Sequence, residues 1–197
     1  MKIGIIGSGN IGTAVGKKVV EAGHEVIISN SRGPETLAEK ITEIGLNTTA
    51  GTVLEASKQE IVVIAVPWPK ISEAVKGLPD WKNRIVIDAT NHQFPEEKIA
   101  DLEPLTASEV VSKALPGARV IKAFSSLYAQ YIDGEVNGGK RVLFYAGDDL
   151  EAKSIVKGLF DQMGFYPVDL GSLAIGGKMM QFVGGPLSGE HFIQIEE

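Results

Sequence analysis

"KIGIIGSGNIGTAVG", residues 2–16, decides the fold. Residues 2–7 read as an apolar strand, glycines fall at 7, 9 and 12, and a helical pattern rich in Ala and Val runs from 10 to 22. Three glycines alone carry little, because the chain has 23 and any tight turn uses the residue. Set between a strand and a helix, at the start of a βαβ unit about 30 residues long, they acquire a specific reading. Gly7 permits the tight turn, Gly9 lets a pyrophosphate approach the backbone, and Gly12 lets the helix pack on the strand. The helix N-terminus then offers unpaired N–H groups to the anion. Ser8, Asn10 and Ile11 complete this loop as cofactor-binding candidates. A Walker-type phosphate loop ending at Gly16-Lys17 is excluded, since Lys18 stands where Ser or Thr is needed and Ile11 where the first Gly is needed.

The end of the second strand selects the dinucleotide. NAD proteins place Asp or Glu about 20 residues past the glycines to bind the ribose 2′-hydroxyl. Here the run is "ISNSRGPE", residues 28–35, with no acid before Glu35. Arg32 can form charge-assisted bonds to a 2′-phosphate, assisted by Asn30 and Ser31, so the cofactor expected is NADP. Two further strand ends face the same crevice: "AVPWPK" (65–70), contributing Ala65, Val66 and Pro67, and "DATNH" (88–92), contributing Ala89 and Asn91. Pro67 and Pro69 also suit the start of a helix.

Further out, Ile- and Val-rich runs recur at 25–30, 60–67, 84–90, 119–124 and 141–147. Most are apolar on both faces, the pattern of strands covered by helices on two sides. Helical patterns lie between them at 35–44, 68–77, 106–114 and 148–164, the last with an acidic start and Gly164 as its stop. The fold class is therefore α/β, a Rossmann-type, doubly wound, mainly parallel sheet with a short C-terminal extension. Residues 1–197 read as one NADP-binding domain, with 165–197 as a small appendage. Met179, Met180 and Phe182 in that appendage suit core packing, a partner surface or a homodimer seam.

The bulk numbers narrow the partners. A formal charge of −6, from 19 basic and 25 acidic residues without a dense basic block, argues against nucleic acid and anionic lipid and leaves small molecules. The absence of cysteine fits a reducing compartment, and the cytoplasm is expected. No uncharged apolar run approaches the ~20 residues that span a bilayer, and glycines interrupt the first strand too early for a signal peptide.

No residue stands out as a nucleophile or general acid. His24, His92 and His191 are scattered without metal-ligand spacing, so no metal is expected. Ser125 and Ser126 lie outside a G-x-S-x-G elbow. His92, at a strand end, is a weak candidate donor for a carbonyl reductase. Hydride transfer between two flat carriers needs no protein nucleophile, only reacting atoms held about 3–3.5 Å apart. A non-catalytic NADP(H)-binding redox sensor acting through a protein partner is the alternative from another class.

The stretches "IGIIGSGNIGTAVGKKVVEAGHEVIISNSR", "AVPWPKI", "VIKAFSSLYAQ", "GDDLEAKSIVKGLFDQMGFYPVDLGSL" and "GGPLSG", in this order, resemble the NADPH-dependent reductases of coenzyme F420, an 8-hydroxy-5-deazaflavin, over nearly the whole chain. The resemblance implies NADP binding by Gly7, Ser8, Gly9, Asn10, Ile11, Ser31 and Arg32. It implies a deazaflavin or flavin-like second substrate, acting as hydride acceptor or donor, near Ala123, Phe124, Ser125, Ser126 and Leu127. Gly184, Gly185, Pro186 and Leu187 are further substrate-binding candidates on the same ground. Family members commonly carry an "FNT"-like run where this chain has Phe124-Ser125-Ser126.

Overall fold

Short β-branched runs separated by amphipathic helices build the sheet at the centre of the molecule. The computed structural model describes residues 1–92, 104–182 and 185–195. Within them the strands are β1 (Lys2–Ile6), β2 (Glu25–Ser29), β3 (Thr48–Ala50), β4 (Ile61–Ile64), β5 (Ile85–Asp88), β6 (Arg119–Ala123), β7 (Gly139–Gly147), β8 (Tyr166–Asp169) and β9 (Ile193–Ile195). Their order is β3-β2-β1-β4-β5-β6-β7-β8, with β9 paired to β7. The first six run parallel, β7 is antiparallel to β6, β8 is parallel to β7, and β9 is antiparallel to β7. This is the expected doubly wound α/β sheet, mainly parallel.

Eight α-helical segments accompany the described strands: α1 (Asn10–Glu21), α2 (Ala38–Ile44), α3 (Val53–Ser57), α4 (Ile71–Ala74), α5 (Ala107–Ala114), α6 (Ala129–Ile132), α7 (Leu150–Gln162) and α8 (Gly176–Met180). Successive strand residues divide between two cores. Ile3, Ile5, Val63, Ile87 and Ile121 pack with Val15 of α1, Ile44 of α2 and Phe160 of α7. Ile6, Val62, Ile64, Val86 and Val120 pack with Ala56 of α3, Ile71 of α4 and Val111 of α5. A strand covered on both faces has no polar side to alternate with, and each buried Val or Ile contributes about 1.5–3 kcal/mol.

Two expected helices are interrupted. The pattern at 35–44 becomes a 3-10 turn at Pro34–Thr36 followed by α2, and that at 68–77 becomes a 3-10 turn at Trp68–Lys70 followed by α4. Both turns carry a proline at their first positions, where its missing N–H costs nothing. The elements β3, α3, α6, β8 and β9, each of three to five residues, are too short for periodicity to reveal. No helix among the described residues is long and apolar enough to cross a membrane.

The order matters for the site. Successive strands are added leftward from β1 to β3 and then rightward from β4, which lies parallel to β1, so the connections from the carboxyl ends of β1 and β4 go to opposite faces and leave a crevice between them.

Candidate functional site

Backbone hydrogen bonds carry the parallel ladder past the strand ends and fix the walls of this crevice. Gly7 N–H donates to the Ser29 carbonyl at 3.0 Å, Ala65 N–H to Ile6 at 2.8 Å, and Ala89 N–H to Ile64 at 3.0 Å. Gly7 turns the chain with φ +114, a region costly for any other residue, and a Cβ there would fall on the Ala65 backbone. A Cβ on Gly12 would fall on the Gly7 carbonyl oxygen, whereas one on Gly9 would meet nothing within 4 Å. The three glycines therefore divide their roles as the motif requires: turn, open approach, close packing. Gly9 is the N-cap of α1, its carbonyl accepting from Thr13 N–H at 2.9 Å, so the N–H groups of Asn10, Ile11 and Gly12 precede the first helical bond. The first turn of α1 carries no acid. An anion placed above Gly9 meets the positive end of a 12-residue helix.

A cleft of about 620 Å³ opens there. Of the residues expected at the cofactor, Gly7, Ser8, Gly9, Asn30, Ser31, Arg32, Ala65, Val66 and Pro67 line it. Asn10 and Ile11 form the adjoining helical turn. Ala89 is buried and Asn91 half-buried just past β5, one strand further along the sheet. The cleft also draws on Ile6, Val53, Lys70, Glu73 and Ala74, which the sequence did not mark. Ile6 ends β1, and the other four come from the connections after β3 and β4, where the only local signal is the cation of "PWPK". Lys70 and Glu73 form an exposed ion pair at 3.1 Å along this wall.

Asn30 ties the two ends of the cleft together. Its Nδ2 reaches Ser8 Oγ at 3.5 Å and Thr36 Oγ1 at 2.9 Å, while its Oδ1 accepts from Arg32 N–H at 2.9 Å. The Arg32 side chain is left exposed at the rim, with no carboxylate within ion-pair distance among the described residues. Ser29, by contrast, is buried and donates to the Ile5 carbonyl at 2.9 Å, which locks β2 to β1.

The second cluster lies past β5 and β6. Asp88 and Lys122, register partners on these strands, form a fully buried ion pair at 3.1 Å. Lys122 also donates to the Thr90 carbonyl, and Asp88 Oδ1 accepts from Thr90 N–H at 2.9 Å and Thr90 Oγ1 at 2.7 Å. Burial pushes the Lys122 pKa down, and the Asp88 carboxylate pulls it back up. The network holds the "DATNH" turn against β6. Its one sequence signal is a lysine inside the otherwise apolar "RVIKAF".

The same turn reaches the loops expected at the second substrate. Asn91 Nδ2 donates to the Ser125 carbonyl at 3.0 Å, and the Ser126 carbonyl accepts from Gly189 N–H at 3.0 Å. "KAFSSL" and the segment after Gly185 thus meet, although 60 or more residues separate them in sequence. Ala123, Ser125, Ser126 and Leu127 are buried, and the hydroxyls of both serines have no hydrogen-bond partner among the described residues. The Phe124 side chain belongs to the core, edge-on to Phe160 and Phe165 at 5.4 and 5.9 Å, on a backbone with φ +66. Gly185 and Leu187 are half-buried beside α8, bonded to Gln181 and Met179, and Pro186 is exposed. Gly184 lies outside the described residues. Met180 is fully buried, while Met179 and Phe182 are half-buried.

His92 is buried with its ring edge-on to Trp68, centroids 6.5 Å apart. Burial, and then the Lys122 cation, lower its pKa, which favours the neutral imidazole. His24 sits in a surface contact with Gln162 at 2.8 Å, and His191 stacks on Tyr131. Among the described residues no three His, Cys, Asp or Glu side chains gather to hold a metal.

This geometry suits a phosphate-bearing dinucleotide. The space above Gly9 and the helix end would hold the pyrophosphate, and Arg32 a 2′-phosphate. Comparison with known proteins supports NADP(H) as the dinucleotide. Residues 2–92 match the family described as NADP oxidoreductase, coenzyme F420-dependent. The solved protein SMa0349 of Sinorhizobium meliloti is 37% identical, with a TM-score of 0.91 over 98% of this chain and 96% of that one. A protein of Arthrobacter sp. FB24, provisionally described as an F420-dependent NADP-reductase, is 24% identical with a TM-score of 0.69, over 88% of this chain and 86% of that one. Metalloreductase STEAP3 of Rattus norvegicus is 29% identical over 173 residues, 88% of this chain but 34% of its own length. The chain thus spans about a third of that curated relative.

Proposed function

The chain belongs, through residues 2–92, to the coenzyme F420-dependent NADP oxidoreductase family, and from that premise we propose that it moves hydride directly between NADP(H) and a planar acceptor or donor, a deazaflavin of the F420 type or a flavin. When bound, the nicotinamide supplies the hydride. The protein's residues supply position: the Gly7–Gly9 turn and the start of α1 anchor the phosphates, and Arg32 distinguishes the phosphorylated ribose. The backbone after β4 and β5, Ala65 to Pro67 and Ala89 to Asn91, supplies the wall past which the reactive ring would lie.

The observation that carries the reading is the character of the second cluster. Its loops are joined by hydrogen bonds, the Asn91 side chain to the Ser125 carbonyl and Gly189 N–H to the Ser126 carbonyl, and its titratable groups are withdrawn. Lys122 is committed to Asp88 and Thr90, and His92 is buried with a lowered pKa. A carbonyl reduction needs an available proton donor, whereas carrier-to-carrier hydride transfer needs only orientation. A flavin, equally planar, is the rival to the deazaflavin as partner ring.

Anaerobic mixing of the protein and NADPH with coenzyme F420, FMN or a simple quinone tests this by loss of the NADPH absorbance. Turnover with F420 or FMN is expected. Tight NADPH binding without oxidation by either would overturn the proposal in favour of a redox sensor.

A further inference from the structure

Arg141, near the start of β7, is 7% exposed and has no carboxylate within ion-pair distance among the described residues. Its Nε and Nη1 are buried without a hydrogen-bond acceptor among those residues. Its guanidinium lies over the ring of Tyr131, 5.2 Å from Cζ to centroid, and that ring in turn stacks on His191 at 4.1 Å. Desolvating a guanidinium without an anion costs far more than a single cation–π contact returns. The other buried cations among the described residues obey the rule: Lys122 has Asp88 at 3.1 Å and Lys153 has Asp169 at 3.0 Å.

What lies beside Arg141 is a cavity of about 190 Å³, between the last turn of α1, the α6-to-β7 connection and the turn from α7 into β8. Lys18 enters it from α1, held at 2.8 Å by Glu21. Glu135 is the one carboxylate among its lining residues, so the walls carry two cations and one anion. The volume is below the several hundred Å³ of sites that enclose nucleotides or drug-sized ligands. It suits a single tetrahedral oxyanion.

We propose that Arg141 and Lys18 form a binding site for a phosphate-sized oxyanion, separate from the cofactor cleft. The anion supplies the missing countercharge and ties β7 to α1. The group is either free phosphate or the phosphoryl end of a larger molecule whose remainder stays in solvent.

The test uses the full chain saturated with NADP+, so that added anions do not compete at the dinucleotide phosphates. Inorganic phosphate and phenyl phosphate are titrated against potassium chloride at matched ionic strength, with melting temperature and calorimetric heat as readouts. Saturable stabilisation by inorganic phosphate beyond the chloride control is expected. Affinity should fall at least tenfold in Arg141→Gln, fall less in Arg141→Lys, and rise in Glu135→Gln, which removes the one carboxylate among the lining residues. Equal binding of phenyl phosphate identifies a phosphoryl group of a larger ligand, and binding of inorganic phosphate alone identifies the free ion. Should Arg141→Gln fail to bind NADP+, and so fail to fold, the other two variants decide. No saturable effect in the wild type, or unchanged affinity in Arg141→Lys and Glu135→Gln, overturns the proposal. None of these readouts depends on the hydride acceptor.

Discussion

Arg32 and the glycines of the phosphate turn make separable contributions. Arg32 is exposed and serves no contact of the fold through its side chain among the described residues, so Arg32→Ala should leave stability within about 0.5 kcal/mol. It should weaken NADPH by about 1.5–3 kcal/mol, the value of a charged hydrogen bond, and NADH by much less. Equal losses for the two cofactors, measured by fluorescence titration, would contradict the 2′-phosphate role. The glycines give a sharper contrast. Gly12→Ala drives a methyl group into the Gly7 carbonyl and should destabilise by about 1–3 kcal/mol. Gly9→Ala meets open space and should change stability by less than about 1 kcal/mol, yet weaken NADPH because the methyl occupies the approach to the backbone. Denaturant unfolding together with NADPH titration checks both. These residues were legible in the sequence because a turn that only glycine tolerates is a local constraint.

Between elements, the pair joining β5 to β6 is the point of greatest stress. Lys122→Met leaves the Asp88 carboxylate buried with Thr90 as its remaining donor, and should cost about 3–5 kcal/mol in chemical denaturation. Adding Asp88→Asn should restore most of it, since the amide oxygen still accepts from Thr90 N–H. A double variant no more stable than the single would show that packing, and not the stranded charge, sets the cost. None of this was legible beforehand. A lysine in an apolar strand declares that it needs a partner, but the partner comes from strand order, which residues 119–124 do not encode. The same holds for Val53 of the cleft, contributed by an element too short for periodicity to mark, while Lys70 and Glu73 lie in a helical pattern that was legible but does not say which of its residues face the cleft. The reversal of β7 is silent for another reason. A strand covered on both faces has the same apolar pattern in either direction.

Across the molecule, stability should fall off from the middle of the sheet. β1 and β4 are neighbours at its centre and buried on both faces, while β9 pairs three residues with β7 and exposes Ile193 and Ile195. Native-state hydrogen exchange should place the amides of residues 61–64 near the global unfolding free energy, and those of 193–195 orders of magnitude faster. Comparable protection at both would mean that the C-terminal strand unfolds only with the core. That strand could not be read from the sequence, because three residues carry no period. The meeting of "KAFSSL" with residues 185–189 was expected only through family resemblance, and its physical cause is a backbone bond from Gly189 to Ser126.

Asn30 gives the cofactor preference an evolutionary neighbour. Two of its three partners are hydroxyls, on Ser8 and Thr36, and a hydroxyl can donate as readily as it accepts. The third is Arg32 N–H, which a carboxylate oxygen would also satisfy. Asn30→Asp keeps the Arg32 N–H bond and can accept from the Ser8 hydroxyl, loses Thr36, whose hydroxyl proton already goes to the Gly33 carbonyl at 2.8 Å, and places a negative charge at the end of β2, where NAD proteins carry their acid. The variant should retain its melting temperature within a few degrees while its NADPH-to-NADH affinity ratio falls, and a collapse of the fold would refute the exchange of donor and acceptor. One nitrogen replaced by oxygen would then move the protein from one cofactor toward the other while it stays folded.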